Sequence, residues 1–220
     1  MSKSDPLVVC LTNTVAASFT ANCLLAIGAK PAMVEHPSEA AELVPRADAL
    51  LVNLGTVTDL QARAMRSAVD VAHASKIPWV LDPVGILLLA FRRALAVELL
   101  KFQPSAIRGN HAEIAALAAA AQVPRLPPLL STGALDKIID GDETVEVQGG
   151  VPMLQTVTAT GCAQGAICAA LLGRGQTARE SCLAASRLMK RAGERAWAKA
   201  KLPGSFRVAL VDALWEVSHD

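Results

Sequence analysis

The sequence predicts an α/β fold with a mostly parallel central sheet flanked by helices, and three features carry that prediction. Short β-branched or Leu-rich runs alternate with longer Ala- and Leu-rich segments of helical period. Residues 136–147 break the alternation, because Asp140-Gly141 between two alternating runs predicts a β-hairpin on an otherwise parallel architecture. The 220 residues suit a single domain, 1–220, long enough to bury its core without disulfides or metal staples.

The elements follow in order. Strands are expected near 7–11, 31–34, 48–54, 78–82, 104–108 and 128–132, and helices near 14–27, 38–45, 59–75, 88–101, 111–121, 162–173, 177–200 and 205–217. Gly28 ends the first helix, Thr58 with Gln61 makes a capping box, and Pro78 opens a strand. The Pro-rich piece from Val123 to Pro128 reads as a short loop.

Composition narrows the function classes. A formal net charge of +1 offers no electrostatic footprint for nucleic acid or an anionic membrane. The longest apolar stretches, around 81–91 and 161–172, fall short of the ~20 residues of a membrane span, and the N-terminus lacks a basic region of signal-peptide type. Five cysteines, an odd number with no CxxC pair, fit a reduced cytoplasmic compartment. Hydrophobic residues reach 52% and charged residues only 19%, which leaves apolar surface for a subunit interface.

The chemistry-bearing residues cluster at strand ends and helix starts. Residues 156–172, TVTATGCAQGAICAALL, read as a strand end, a tight small-residue turn and a buried helix with Cys162 in its first turn. The first amides of a helix lack intrahelical partners, so Ala159, Thr160 and Gly161 let an anion approach bare N–H groups. A thiol there would have a lowered pKa and make Cys162 a proton acceptor; the alternative is a Cys buried at a close helix contact. Asp82, in Asp82-Pro83-Val84-Gly85, stands at the carboxyl end of a strand, where it either meets a metal or polar substrate or caps the turn. Arg108 could fork onto a phosphate. Glu113 sits three residues after Asn110, a capping-box spacing that also aims a carboxylate at the crevice. The four histidines show no ligand spacing, and the loops G-x-x-x-x-G-K-[ST] and G-x-G-x-x-G are missing.

Over nearly its whole length the chain resembles the hydroxyethylthiazole kinase family. The resemblance rests on Thr12-Asn13, residues 19–26, Gly28-Ala29, Pro31 to Met33, Asn53 with Gly55-Thr56, Asp82-Pro83-Val84, residues 106–110, Glu113-Ile114, Thr132-Gly133, Gly161-Cys162 and residues 203–206, in that order. It implies a ribokinase-like three-layer sandwich and ATP- and Mg2+-dependent phosphorylation of the alcohol of 4-methyl-5-(2-hydroxyethyl)thiazole in thiamine salvage. It further implies that Met33, Asn13 and Ala159 meet the thiazole and that Arg108 and Thr132 contact ATP. Asp82 and Glu113 would organise Mg2+, Thr160 and Gly161 would form the anion hole, and Cys162 would stand where ribokinase relatives carry an Asp base. The assembly implied is a homotrimer with sites between subunits. A thiol base of ordinary pKa, roughly 8.5, implies a slow kinase.

Five departures from the family pattern mark where the chain differs. Ala159 replaces a glycine, Val9 a histidine and Ala134 a glutamate; Ile86 to Leu89 replaces a small-residue loop and could narrow or cover the magnesium crevice; and most of a loop, a helix and a strand start is missing between Leu117 and Leu129. The crossover is expected to survive, because residues 111–128 still supply the dozen residues a parallel connection needs. Two further readings stay open: a degenerate member that binds ligand or only assembles, and a ribokinase-like kinase for another small vitamer alcohol.

Overall fold

The computed structural model describes residues 5–121, 123 and 125–220. Its eight strands form one sheet in the order β2-β1-β3-β4-β5-β6-β7-β8. These are β1 (Leu7–Leu11), β2 (Lys30–Met33), β3 (Ala49–Asn53), β4 (Trp79–Asp82), β5 (Ala106–Asn110), β6 (Leu129–Thr132), β7 (Asp136–Asp140) and β8 (Glu143–Val147). β1 to β6 pair in parallel, and β7 and β8 add the expected antiparallel hairpin around Gly141, whose φ of 59° suits a glycine turn.

The period of two along each strand builds two cores. Val8, Cys10, Leu51, Val80 and Leu130 face a layer containing α1 (Thr14–Ala26), α7 (Thr160–Gly173), α8 (Ala178–Lys199) and α9 (Pro203–His219). Val9, Leu11, Leu50, Val52, Leu81 and Ile107 face α2 (Pro37–Leu43), α3 (Asp59–Ser75), α4 (Ala90–Leu99) and α5 (His111–Ala120). The result is the three-layer sandwich expected.

Three expectations shift. The fifth strand runs over 106–110 rather than 104–108, since Arg108 to Asn110 find ladder partners in Leu130 to Thr132. That same ladder shows that the shortened crossover still closes a parallel pair; of its Pro-rich piece, Pro124 lies outside the described residues. Residues 156–158 are not a strand end. A short helix, α6 (Met153–Thr156), precedes a turn in which the Thr160 hydroxyl donates to the carbonyls of Leu154 (2.7 Å) and Val157 (3.2 Å), so α7 starts at Thr160, two residues early. β-branched residues at 156–158 mimic a strand, but here the side-chain hydrogen bond decides.

The chain leaves β1 for β2 on one side and returns to β3 on the other. Ligands in open parallel sheets bind outside the carboxyl ends of strands at such a reversal. α7 lies across β1, β3 and β4 with its N-terminus at that rim.

Candidate active site

A hydrogen-bonded chain runs along the rim. Asn13, just after β1, caps α1 by accepting from the Ala16 amide at 2.9 Å and donates to the Asn53 side-chain oxygen at 3.0 Å. Asn53, ending β3, also receives the Gly55 amide at 3.0 Å and donates to Asp82 Oδ2 at 2.7 Å. Asn13 Nδ2 also lies 3.5 Å from Cys162 Sγ, which joins the rim to the start of α7. Asn53 is wholly buried, and its central place here has only a weak sequence signal: a polar residue ending an apolar strand two positions before a glycine.

Asp82 is wholly buried at the end of β4, and its Oδ1 has no hydrogen-bond partner. The nearest cation is Arg108 Nη1, 3.8 Å from that oxygen. Burial pushes the Asp82 carboxyl up to about 7; the Arg108 charge and the Asn53 hydrogen bond pull it down, and the Glu113 charge pushes it up. Glu113 has the capping role that its spacing predicts. It completes the α5 capping box with the Asn110 amide (3.0 Å), and its other oxygen accepts the Gly85 amide (2.8 Å), which fixes the turn after Asp82 against α5. Among the described residues no three His, Cys, Asp or Glu side chains form a closed cation cage. One unpartnered carboxylate oxygen with a second carboxylate nearby suits Mg2+, which keeps most of its waters and takes one or two carboxylates alongside phosphate oxygens.

Arg108 crosses from β5 to the start of α7. Its Nη2 donates to the Thr132 hydroxyl at 2.9 Å, which itself donates to the Gly109 carbonyl at 3.2 Å, while its buried Nε is unpartnered. A Cβ on Gly161 would stand 2.5 Å from both Nη atoms, so the guanidinium lies directly on the helix entrance. There the first intrahelical bond is Ala163 N to Ala159 O, and no side chain caps the amides of Thr160, Gly161 and Cys162. Bare donors, an arginine and an unpartnered carboxylate oxygen thus share one crevice.

The Cys162 thiol corrects the sequence expectation. Burial pushes it up to about 11, the Asp82 charge adds to that, and Arg108 with the Asn13 and Asn53 hydrogen bonds offset only part. The helix terminus, which alone favours a thiolate, loses to desolvation and a neighbouring anion.

Ala159 adopts φ 73° and ψ −1°, the left-handed region. An L-residue there costs roughly 1–2 kcal/mol, and glycine gives back about 0.5–1 kcal/mol of that through its freer unfolded chain. Ala159→Gly is therefore expected to stabilise the protein by about 0.5–1 kcal/mol in denaturant titrations.

Beside Arg108 a cavity of about 740 Å³ opens between the ends of β5 and β6, the start of β7, the 149–155 segment, the start of α7 and α8. Thr132, Ala134, Thr160 and Gly161 line it. Met33 stands apart, partly exposed at the end of edge strand β2. Val9 is buried in the core of the α2–α5 face. Ile86 fills the core, while Leu87, Leu88 and Leu89 are exposed and none lines this cavity.

Comparison with known proteins follows the same layout. The hydroxyethylthiazole kinase family model matches residues 1–125 and 129–220. Hydroxyethylthiazole kinase from Escherichia coli (strain 55989 / EAEC) is 43% identical over 238 aligned positions, covering 98% of this chain and 91% of that protein. The aligned length exceeds the 220 residues present, and the family match is interrupted at 126–128, inside the predicted deletion. The solved hydroxyethylthiazole kinase protein from Pyrococcus horikoshii OT3 superposes with a TM-score of 0.90 at 34% identity, over 96% of this chain and 88% of that one. A ribokinase-like superfamily protein from Enterococcus faecalis shares the fold at 14% identity and a TM-score of 0.69, over 96% of this chain and 86% of its own. No helix among the described residues is long and apolar enough to cross a membrane.

Proposed function

The chain belongs to the hydroxyethylthiazole kinase family, and from that premise we propose that it phosphorylates the primary alcohol of 4-methyl-5-(2-hydroxyethyl)thiazole with ATP and Mg2+. The observation that carries the reading is the convergence of Arg108, Asp82 Oδ1 and the uncapped amides of α7 on one crevice beside a cavity of about 740 Å³.

In the reaction, the alcohol oxygen bonds to the γ-phosphorus as its proton passes to the Cys162 sulfur or to solvent, the bond from that phosphorus to the β,γ-bridging oxygen breaks, and ADP leaves. Such transfer depends on positioning and charge neutralisation more than on covalent chemistry. The amides of Thr160, Gly161 and Cys162 would hold the transferring oxygens, with Arg108 beside them. Thr132 orients Arg108 and borders the nucleotide cavity. Asp82 Oδ1 would hold Mg2+ and Glu113 would meet its waters; the ion, when bound, supplies positive charge to the phosphates. Asn13, Ala159 and Met33 would border the thiazole.

Cys162 is a weak base here. With a pKa of about 11, the thiolate fraction at pH 7 is on the order of 10⁻⁴. Electrostatics therefore carries most of the rate, and turnover is slow. Cys162→Ala is expected to lower kcat by about 10²-fold while leaving the thiazole KM within about threefold. Below its pKa a base gains activity as it ionises, so the parent's kcat should rise from pH 7 to pH 9, and the variant's should not.

Two assignments of setting accompany this reading. The exposed apolar side chains Val15, Leu25, Met33, Leu60 and Leu87 to Leu89 support a homotrimer in which Met33 meets a neighbouring subunit, and light scattering tests it. Five cysteines present as thiols support the cytoplasm. A second reading, ligand binding without catalysis, is favoured by the Ala159 methyl in its left-handed turn. ADP release that depends on the thiazole alcohol decides for the kinase; calorimetric binding of the thiazole without ADP release decides for the second reading.

A further inference from the structure

One face of α8 carries a cluster that the reaction above does not use. Lys190, Gly193 and Glu194 lie a turn apart, the spacing at which helical side chains stack on one face. The Lys190 side chain is only 7% exposed, yet it belongs to a residue type that is almost never buried unless paired. Its Nζ donates to the carbonyls of Gly149 (2.9 Å) and Ala134 (3.3 Å) and lies 3.7 Å from Asp136 Oδ1. Asp136 is equally enclosed. It accepts the Gly133 amide at 3.0 Å, the Ser186 hydroxyl at 2.7 Å and the Gln164 amide nitrogen at 3.4 Å.

The same helix grips the second loop again. Glu194 Oε1 accepts the Gly150 amide at 2.7 Å, and a Cβ on Gly193 would stand 2.8 Å from Leu154 Cδ1. Gly149 and Gly150, at φ 94° and 82°, form a turn that these contacts tie to α8. Residues 133–136 and 149–154 are the two loops that wall the cavity of about 740 Å³.

We infer that Lys190, paired with Asp136, is a positioning residue that ties the 133–136 and 149–154 loops to one helix face and so fixes the width of the nucleotide cavity. The inference rests on the proposed function for the identity of the ligand, but not for the geometry. A buried ion pair is a poor source of net stability compared with well-packed apolar side chains, so its value lies in the arrangement it enforces. Two of the ammonium protons are committed to loop carbonyls, and the charge faces Asp136 Oδ1 at 3.7 Å.

The test compares the parent with Lys190→Met/Asp136→Asn, which removes both charges and leaves no buried carboxylate unpaired. Lys190→Gln carries the same readouts should the double variant fail to fold. Amide hydrogen exchange in the unliganded proteins is expected to quicken by about tenfold or more at residues 133–136 and 149–151, with the rest of the sheet unchanged. The KM for ATP is expected to rise about tenfold, with kcat and the thiazole KM within about threefold of the parent. Unchanged exchange in both loops overturns the inference, as does a fall in kcat with the ATP KM unmoved. A parent without kinase activity would contradict the proposed function alone, because the exchange result still decides the loop-positioning role.

Discussion

Replacing Asp82 by Asn is expected to lower kcat by about 10³-fold, the scale of losing a group that acts electrostatically in a water-poor site. The substitution keeps the shape and, with a rotated amide, a hydrogen bond toward Asn53. What it removes is the negative charge on Oδ1, an atom with no protein hydrogen-bond partner and only a distant arginine. A merely structural carboxylate would behave differently, since a turn cap keeps both oxygens on amides, as Glu113 does. Stability should move in a pH-dependent way. The unfolded carboxyl titrates near 3.8 and the folded one near 7, so between those values only the folded state holds the proton. The unliganded parent therefore loses stability as pH rises through that window, and Asp82→Asn should flatten the slope in urea titrations run at several pH values.

Gly161→Ala is expected to reduce kcat by about 10²–10³-fold without destabilising the fold. A Gly-to-Ala change gains up to about 1 kcal/mol in a helix interior and less in the first turn where Gly161 lies, which offsets part of the local crowding against the flexible Arg108 end. The crowding falls where it matters for catalysis: the new methyl would meet both Arg108 Nη atoms at 2.5 Å and the guanidinium carbon at 2.8 Å. Arg108 is held by Thr132 on one side and faces Asp82 on the other, so it can yield only by leaving the entrance of α7. Stop-flow or coupled assays beside thermal melts separate the two effects. An equal loss of stability and activity would assign Gly161 to packing alone.

The alternation of strands and helices was legible in the sequence because each apolar run has its own period and its own punctuation. Thr58 with Gln61 and Asn110 with Glu113 form the capping boxes their spacing predicts, and Asp140-Gly141 makes its hairpin turn. Asp82, Arg108, Thr132 and Gly161 meet because each sits at a strand's carboxyl end or a helix start, which parallel topology gathers onto one rim. What stayed hidden depends on burial and on contacts between distant segments. The Cys162 thiol is governed by desolvation and by Asp82, eighty positions away in the chain, and neither is written near it. Asn53 looked like one matching position among many, and its link to Asn13 and Asp82 exists only across the sheet. Lys190 lies on an amphipathic helix, where a lysine normally reads as part of the solvent face.

The central claim is that the uncapped amides at the start of α7, with Arg108 laid across them, receive the phosphoryl group in flight. A crystal structure with ADP, Mg2+, aluminium fluoride and the thiazole alcohol tests it most directly. Fluoroaluminate is expected within hydrogen-bond reach of the Thr160, Gly161 and Cys162 amides, with the Asp82 carboxylate on the metal side. Fluoroaluminate bound elsewhere, with the Ala159 methyl or the Arg108 guanidinium still closing that entrance, would contradict it.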